Sequence, residues 1–595
     1  MKNFVKITLA VMCGILVMNI IGVIVFLMFI GSAVSAAGSS APVIPRSGVL
    51  KMDMSKISIV EQPAPSVDMK DVLSGGATVT PVGIWNAVQA IEHAAADPGV
   101  KFIYLKPDEI SADISSIEEL RAALSEFRKS GKAVVSYISS PSTLSYYLAS
   151  VSDKVFMSSA SGASPMIVGV GSQLFFLKDI LDKFGVNVQL IRHGKYKSAG
   201  ETFIKNAPSQ ENLEQNREMI GSIWNSIAGE VAESRGISAD DFSAMVDELK
   251  LGDAADMLEN SLVDELLSRE EMRERIASLA VEDKFSDVSM IPFSDYVAVN
   301  GNGNLNSKKK IAVVYADGNI VEGESASNVA GDTFSTILAS IREDDGIAAV
   351  VLRVASPGGS VIASDQIKNE IDLLRAVKPV IASYGSYAAS GGYWISNSCD
   401  RIFTDKTTLT GSIGCFSMIP DLSKTASDIL HVGITAVGSS PHSDMYSLMR
   451  PLDKAETEYM QNSIEQIYGD FVSTVAQGRE LTPEFVDSIA QGRVWTGADA
   501  LGIGLVDSIG GLKDAVQYAA VSAGEPDLSQ WTVEAYPKPQ TAIDMIISAM
   551  GQKLDGDKDV LAGTPFAGVE KAFKNWTWEG SEHIYARMPY EIVIK

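Results

Sequence analysis

The chain has 595 residues, which predicts more than one domain, and its 46% hydrophobic and 21% charged residues are typical of a globular protein. Its formal net charge of −25 argues against a nucleic-acid partner, because neutralising phosphates requires clustered Lys and Arg. The three cysteines form no Cys-x-x-Cys pair and no His-Glu-x-x-His segment is present, so the sequence gives metal chemistry no support.

An apolar run near the N-terminus predicts where the protein is located. Residues 7–30 contain Asn19 as their only strongly polar residue, and a helix of this length would extend about 36 Å, enough to cross a bilayer. Lys2 and Lys6 precede the run, so residues 1–6 should stay cytoplasmic and the remainder should be exported. We therefore expect a retained transmembrane anchor at 7–30, with a signal peptide cleaved within 32–37 as the alternative.

In a bacterium with two membranes, this topology predicts a single-pass protein of the inner (cytoplasmic) membrane. The bulk of the chain would then be periplasmic or otherwise extracytoplasmic.

The rest of the chain repeats itself at a nearly constant interval. Residues 99–106 resemble 346–353, and residues 152–156 resemble 399–403, in both cases 247 residues later. Such an offset predicts two copies of one domain of about 250 residues. The predicted boundaries are a first repeat at 45–299, a polar linker at 300–310, a second repeat at 311–530 and a C-terminal extension at 531–595.

Each half alternates strand and helix signals. Residues 102–105 and 349–352 are short apolar runs typical of buried strands. Ile117, Leu120, Leu124 and Phe127 form a helical stripe, for which Ser116-x-x-Glu119 offers a capping box. Regular alternation predicts an α/β fold with largely parallel strands, whose sites lie at the carboxyl ends of the strands.

Two segments of the second half suit acyl transfer. The Gly-Gly turn in Ser356-Pro-Gly-Gly-Ser360 can present backbone N–H groups to a developing oxyanion. Ser390 lies on a turn of small residues before Gly391 and can be an exposed nucleophile at the start of a helix. In the first half, Thr143 and the glycine-free segment 109–113 occupy the corresponding positions. The first half therefore lacks both features.

A candidate base lies in the first half instead. A serine hydroxyl needs a base, and a Lys amine can serve when burial lowers its pKa. Lys195 and Lys197 lie in a first-half segment whose second-half counterpart has no Lys. The residues alone do not choose between these lysines, which would share a face in a strand, and His193 and His442 remain possible bases. We therefore interpret the base candidate of the first half and the nucleophile of the second half as parts of one site assembled from both halves.

At this point the chain resembles the signal peptide peptidase A family, in its long, duplicated form, within the Clp-protease/crotonase-like superfamily of ββα repeats. The resemblance covers most of residues 45–530 and the N-terminal run. It is carried by the following segments in this order: Tyr196-Lys-Ser-Ala199, Ser356-Pro-Gly-Gly-Ser360, Ala389-Ser-Gly-Gly-Tyr-Trp394 and Leu409-Thr-Gly-Ser-Ile-Gly414.

The resemblance implies a role for each site residue. Ser390 would be the nucleophile and Lys197 the general base, with Ser412 orienting the Lys amine. Backbone N–H groups of Gly359 and Gly391 would form the oxyanion hole, and no metal or cofactor would be needed. The implied activity is hydrolysis of remnant signal peptides through an acyl-enzyme, by a membrane-anchored homotetramer. A noncatalytic scaffold and a crotonase-like acyl-CoA enzyme are the alternatives.

Overall fold

The computed structural model of the chain describes Met18 and residues 42–63, 79–303, 307–538 and 585–588. The expected anchor at 7–30 lies outside these residues except for Met18, as do 32–37, part of the linker and most of the C-terminal extension. Among the residues described, no helix combines the length and apolar character needed to cross a membrane. The described residues from Pro45 onward belong to one compact unit.

Strands and helices alternate through both halves. The strands are β1 Gly48–Asp53, β2 Ile57–Val60, β3 Thr80–Gly83, β4 Val100–Lys106, β5 Val134–Ile138, β6 Lys154–Ser158, β7 Asn187–Arg192, β8 Glu265–Leu267, β9 Met290–Pro292, β10 Lys309–Asp317, β11 Ile320–Val321, β12 Val329–Ala330, β13 Ile347–Ser356, β14 Gly358–Ser360, β15 Val380–Ala389, β16 Arg401–Thr404, β17 Leu409–Gly411, β18 Phe416–Asp421, β19 Val494–Thr496, β20 Ser508–Ile509, β21 Trp531–Tyr536 and β22 Tyr585–Arg587. The helices are α1 Ile84–Ala96, α2 Ile114–Arg128, α3 Thr143–Ala149, α4 Lys178–Lys183, α5 Glu201–Ile204, α6 Gln210–Arg235, α7 Ala239–Asp247, α8 Ala254–Glu259, α9 Arg269–Leu279, α10 Phe293–Asn300, α11 Gly331–Glu343, α12 Val361–Arg375, α13 Gly391–Ser396, α14 Lys454–Arg479, α15 Pro483–Ile489, α16 Gly497–Gly502 and α17 Leu512–Ser522.

A central parallel sheet organises each half, so the predicted α/β fold is confirmed. The first has the strand order β8-β6-β5-β4-β1-β9 and the second β19-β17-β15-β13-β10-β21, with β16 and β20 branching from β15. All pairs are parallel except β17 with β19. The middle strands are buried on both faces, as in β13, which is typical of parallel sheets covered by helices.

Equivalent contacts recur in the two halves, as a duplication requires. Asp264 in the first half accepts a hydrogen bond from the Val155 N–H at 2.8 Å. Asp507 accepts the corresponding bond from the Ile402 N–H at 2.7 Å. Each carboxylate therefore fixes the start of an equivalent strand, β6 or β16, at the equivalent point in its repeat.

Helix α2 starts earlier than its sequence suggested. The capping box expected at Ser116 and Glu119 is not the start of the helix, which begins at Ile114 after the N-cap Asp113. The Asp113 carboxylate accepts from the Ser116 N–H at 2.9 Å. Glu119 is 5% exposed and instead contacts the second half. A buried charge partner therefore outweighs the local capping pattern.

A third sheet joins strands from both halves. Its order is β12-β11-β14-β22-β18-β7, in which β7 is the only first-half strand. Strand β7 pairs antiparallel with β18 from Arg192–Phe416 to Asn187–Asp421. The pairing thereby brings the segment that follows β7 and carries Lys197 to the second half of the chain.

A buried ion cluster also connects the halves. Arg353 in β13 is fully buried, and it donates to both Glu61 carboxylate oxygens at 2.7 and 2.9 Å. It also donates to Glu119 on α2 at 2.6 Å. Burying a guanidinium is tolerable only when its donors are paired, so removing one carboxylate leaves a buried N–H donor without its acceptor, although the other carboxylate still compensates the charge.

Replacing Glu119 with Ala should lower the free energy of unfolding by about 1–3 kcal/mol, because one Arg353 donor and the Leu512 N–H lose their acceptor. Glu126 lies on the same helix and forms an ion pair with Lys129 whose side chains are 62% and 69% exposed, so Glu126→Ala should cost less than about 1 kcal/mol. Urea unfolding of both variants checks this difference. Equal losses would show that Arg353 does not depend on Glu119.

Candidate active site

Ser390 lies between strand β15 and helix α13 in an unusual backbone conformation. Its φ is 56° and its ψ is −112°, and it is the N-cap residue of α13. Non-glycine residues rarely adopt positive φ, and the surrounding structure must hold such strain in place. The Ser390 N–H donates to Gly411 O at 2.8 Å, which fixes the turn to β17.

The Gly-Gly turn passes directly beside Ser390. Gly358 has a φ of 96°, and a methyl group added there would lie 2.6 Å from Gly391 N. A methyl group on Gly391 would lie 3.1 Å from Gly359 N. Only residues without side chains allow this approach. The two backbone N–H groups expected to bind an oxyanion, at Gly359 and Gly391, are therefore close together next to Ser390.

Lys197 enters this site from the first half. Its Nζ lies 2.9 Å from Ser390 Oγ, 3.0 Å from Ser412 O and 3.0 Å from Ser412 Oγ. Ser412 follows β17 with a φ of 50°, which directs both of its oxygens to the amine. The structure thus brings together Ser390, Lys197 and Ser412 from three separate segments.

Burial lowers the pKa of Lys197 to about 7, because the charged ammonium form loses its hydration inside the protein. Cys415 is a free, buried thiol nearby, and burial raises its pKa to about 12. No carboxylate hydrogen-bonds the Lys197 amine among the described residues. In the neutral amine, two N–H bonds can point at the Ser412 oxygens, which leaves the lone pair for the Ser390 proton.

The structure also separates the alternatives for the base. Lys195 is exposed, with its Nζ 4.9 Å above the Tyr196 ring. Residues 193–200 form turns rather than the strand that would have put both lysines on one face. His193 contacts Glu465 at 2.6 Å, and His442 contacts Glu456 at 2.9 Å. Neither histidine hydrogen-bonds Ser390.

A second-half turn that the sequence did not single out supports Lys197. Gly492 has a φ of 77°, and a methyl group there would lie 2.6 Å from Lys197 Cβ and 2.7 Å from Lys197 N. The preceding Gln491 accepts from the Tyr196 N–H at 2.9 Å. On the other side, the Arg192 guanidinium donates to Lys197 O. The Gln-Gly pair signals a turn, but nothing local shows which lysine it contacts.

Within the part of the chain that the structure describes, one group of side chains has the spacing of metal ligands, and it lies outside this site. Ligand atoms of His442, Asp453 and Glu456 are within 4.8 Å of one another. Arg450 donates to both Glu456 carboxylate oxygens, each at 2.7 Å. The guanidinium thus already neutralises the negative charge that this carboxylate would offer to a cation.

The pKa of Lys197 predicts how the reactivity of Ser390 depends on pH. The amine is neutral only above its pKa of about 7, so acylation of Ser390 by a serine-directed reagent should slow about tenfold per pH unit below that value. Above it, the rate should level off. The pH profile of the acylation rate, with Ser390→Ala as the blank, measures this. If the midpoint of the profile lay near the pKa of an ordinary lysine, a buried neutral amine would be excluded.

Substitution of Gly492 tests the support of Lys197. In Gly492→Ala, the new methyl group must displace the Lys197 backbone, and a displacement of about 1 Å can reduce the rate about a hundredfold. Gly502 provides a matched control, because a methyl group there meets nothing within 4 Å. Acylation should be slow in Gly492→Ala and unchanged in Gly502→Ala. A normal rate in Gly492→Ala would remove Gly492 from the support of the base.

Comparison with known proteins places this geometry in a family. The model of Peptidase family S49 matches residues 126–282 and 372–524, more than half of the chain. The second match begins 246 residues after the first. The family domain therefore occurs twice, in agreement with the repeat found in the sequence and in the fold.

Relatives match over most of the chain. Protease 4 of Haemophilus influenzae is 34% identical over 86% of this chain and 85% of its own length. Protease 4 of Salmonella typhi is 36% identical over 78% of this chain and 76% of its own length. A putative signal peptide peptidase SppA of Enterococcus faecium is 34% identical over 35% of this chain and 62% of its own. These matches decide against a scaffold or an acyl-CoA enzyme: the chain belongs to peptidase family S49 and is a serine protease.

Proposed function

We propose that the chain hydrolyses remnant signal peptides with a Ser390–Lys197 dyad. The observation that carries the catalytic part is the fully buried Lys197 amine 2.9 Å from Ser390 Oγ, with two further contacts to Ser412. The pKa of about 7 supports a base that is neutral at physiological pH. The name of the Enterococcus faecium relative supports the substrate class.

The reaction runs through an ester on Ser390. Lys197 removes the hydroxyl proton as Oγ attacks the scissile carbonyl carbon. The Gly359 and Gly391 N–H groups donate to the oxyanion, and each such donor is worth about 3–4 kcal/mol in comparable sites. The resulting Lys197 ammonium protonates the leaving amine as the C–N bond breaks. Water then hydrolyses the ester, with Lys197 again accepting a proton.

The wider proposal places this site next to its substrates. We infer that residues 7–30 anchor the chain in the bacterial inner membrane with its bulk outside the cytoplasm, since the apolar run follows Lys2 and Lys6. Released signal peptides are apolar and stay in the bilayer, so an anchored protease would meet them there. We also propose that the chain forms a homotetramer, as its resemblance to the Clp-protease/crotonase-like superfamily implies. Enclosing the site within such an assembly would keep folded exported proteins away from it.

Three variants of the full chain test the dyad. Ser390→Ala and Lys197→Met should each reduce kcat/KM on a signal-peptide-like substrate by about a thousandfold or more. Lys195→Met is the matched control, because Lys195 is exposed and only two residues away. It should keep full activity. Activity that survives Lys197→Met would move the base to another residue.

The substrate class needs its own comparison. The unaltered chain should cleave an apolar signal-peptide-like peptide in preference to a hydrophilic peptide of equal length, and it should leave a folded exported protein intact. Equal cleavage of both peptides would contradict the signal-peptide assignment while leaving the Ser390–Lys197 mechanism standing.

A further inference from the structure

The segment that carries Lys197 has no regular structure of its own. Strand β7 ends at Arg192, helix α5 begins at Glu201, and the residues between them form turns and bends. The Lys197 N–H donates to Gly194 O at 3.2 Å, within the same short stretch. The place of the Lys197 backbone therefore depends on side chains that bind to this segment.

Arg192 and Glu201, at the two ends of the segment, form an ion pair. Arg192 Nη2 lies 3.3 Å from Glu201 Oε1. Through its other terminal nitrogen, Nη1, the same guanidinium donates to the carbonyl oxygen of Lys197. One planar group thus joins the ends of the segment and binds its middle. The fixed fork of N–H donors in arginine allows this double contact, which a compact ammonium cannot reproduce.

Glu201 is itself fixed by further contacts. It is 0% exposed, and its Oε2 accepts from the Ser209 N–H at 3.0 Å and from the Asn212 amide at 3.2 Å. Burial alone would raise the pKa of Glu201, but these hydrogen bonds and the charge of Lys205 lower it below its usual value. The carboxylate is therefore charged at neutral pH and holds the guanidinium in one place.

The same contacts connect the base to the half that carries the nucleophile. Both hydrogen-bond donors to Glu201 come from the start of helix α6. Further along this helix, Gln215 Oε1 accepts from the Val494 N–H at 2.7 Å. Val494 in β19 pairs with Gly411, the residue before Ser412. Helix α6 therefore contacts both the support of the lysine and the strand that leads to its hydrogen-bond acceptors.

We propose, resting on the Ser390–Lys197 dyad proposed above, that Arg192 and Glu201 are positioning residues that hold the lysine amine within reach of the serine hydroxyl. Their hydrogen bonds reach the site only through the Lys197 backbone. Without the guanidinium, the buried Lys197 carbonyl loses its donor and the segment relaxes toward another partner. The amine then moves away from Ser390, so kcat falls while peptide binding, and with it KM, is unchanged.

Arg192→Ala in the full chain tests this proposal. A displacement of about 1 Å can reduce the rate about a hundredfold, so kcat should fall by this factor at constant KM. Lys205→Met is the matched control, because Lys205 Nζ also lies 3.3 Å from Glu201 Oε1 but its side chain is 38% exposed. It should keep kcat within about twofold. Equal losses in both variants would show that only the charge beside Glu201 matters, which would overturn the proposal.

Rescue by a small cation separates positioning from a merely structural role. The Arg192 side chain is 24% exposed, so the space left by Arg192→Ala is open to solvent. Added guanidinium should restore the acylation of Ser390 about tenfold or more, the effect of one hydrogen bond from a charged donor. Methylammonium has the same charge without the planar fork and should restore much less. Equal restoration by both cations, or by neither, excludes the positioning role.

A second variant covers the case in which Arg192→Ala does not fold. Arg192→Lys keeps the charge and most of the stem but cannot bind Glu201 and the Lys197 carbonyl at once. Its kcat should still fall about tenfold, since one charge-assisted hydrogen bond is lost. Full activity of Arg192→Lys would overturn the proposal.

Labelling of the lysine amine distinguishes this proposal from the proposed function. In the inactive Ser390→Ala chain, acetic anhydride reacts only with the neutral Lys197 amine, so labelling should have its midpoint near pH 7. Adding Arg192→Ala should raise the midpoint by about one pH unit or more, because a displaced amine regains water. If the midpoint rises but no variant hydrolyses any peptide, the proposed function fails and the positioning of the amine stands. If the active chain keeps both its kcat and this midpoint without Arg192, the positioning role is excluded.

Discussion

The site depends on a lysine amine that is kept away from water. Lys197 has no exposed surface, and burial lowers its pKa to about 7. A serine protease that uses lysine as its base needs this shift, because a hydrated ammonium would have no lone pair at neutral pH. The fold must therefore surround the amine with acceptors that do not restore its charge. The backbone carbonyl and the hydroxyl of Ser412, both neutral, meet that requirement.

Neither half of the chain could bury this amine alone. The turns around Gly492 and Ser412 come from the second half, whereas Lys197 and the supporting Arg192 come from the first. The pairing of β7 with β18 and the cluster around Arg353 hold the two halves together at separate places. Duplication therefore allowed each copy to specialise. In the proposed mechanism, one copy keeps the nucleophile and the glycine turn, and the other supplies the base.

The parts of the site that sequence predicts are those that depend on local chemistry. Ser390 and the Gly358–Gly359 turn could be identified from the sequence because each is marked by small residues directly after a predicted strand. The choice between Lys195 and Lys197 could not be derived from the residues, since it depends on which side chain the partner half buries. Gly492 was missed for the same reason: its role arises from a contact with a segment far away in the chain. The start of α2 was placed too late because Glu119 binds Arg353 rather than capping its own helix.

The position of β22 also concerns the solubility of the folded chain. Strands β14 and β18 would each present an unpaired edge to solvent if nothing lay between them, and such edges recruit strands from other molecules. Filling the gap with a strand of its own covers both edges. The folded chain thus needs no charges or prolines on these two strands to prevent aggregation through them.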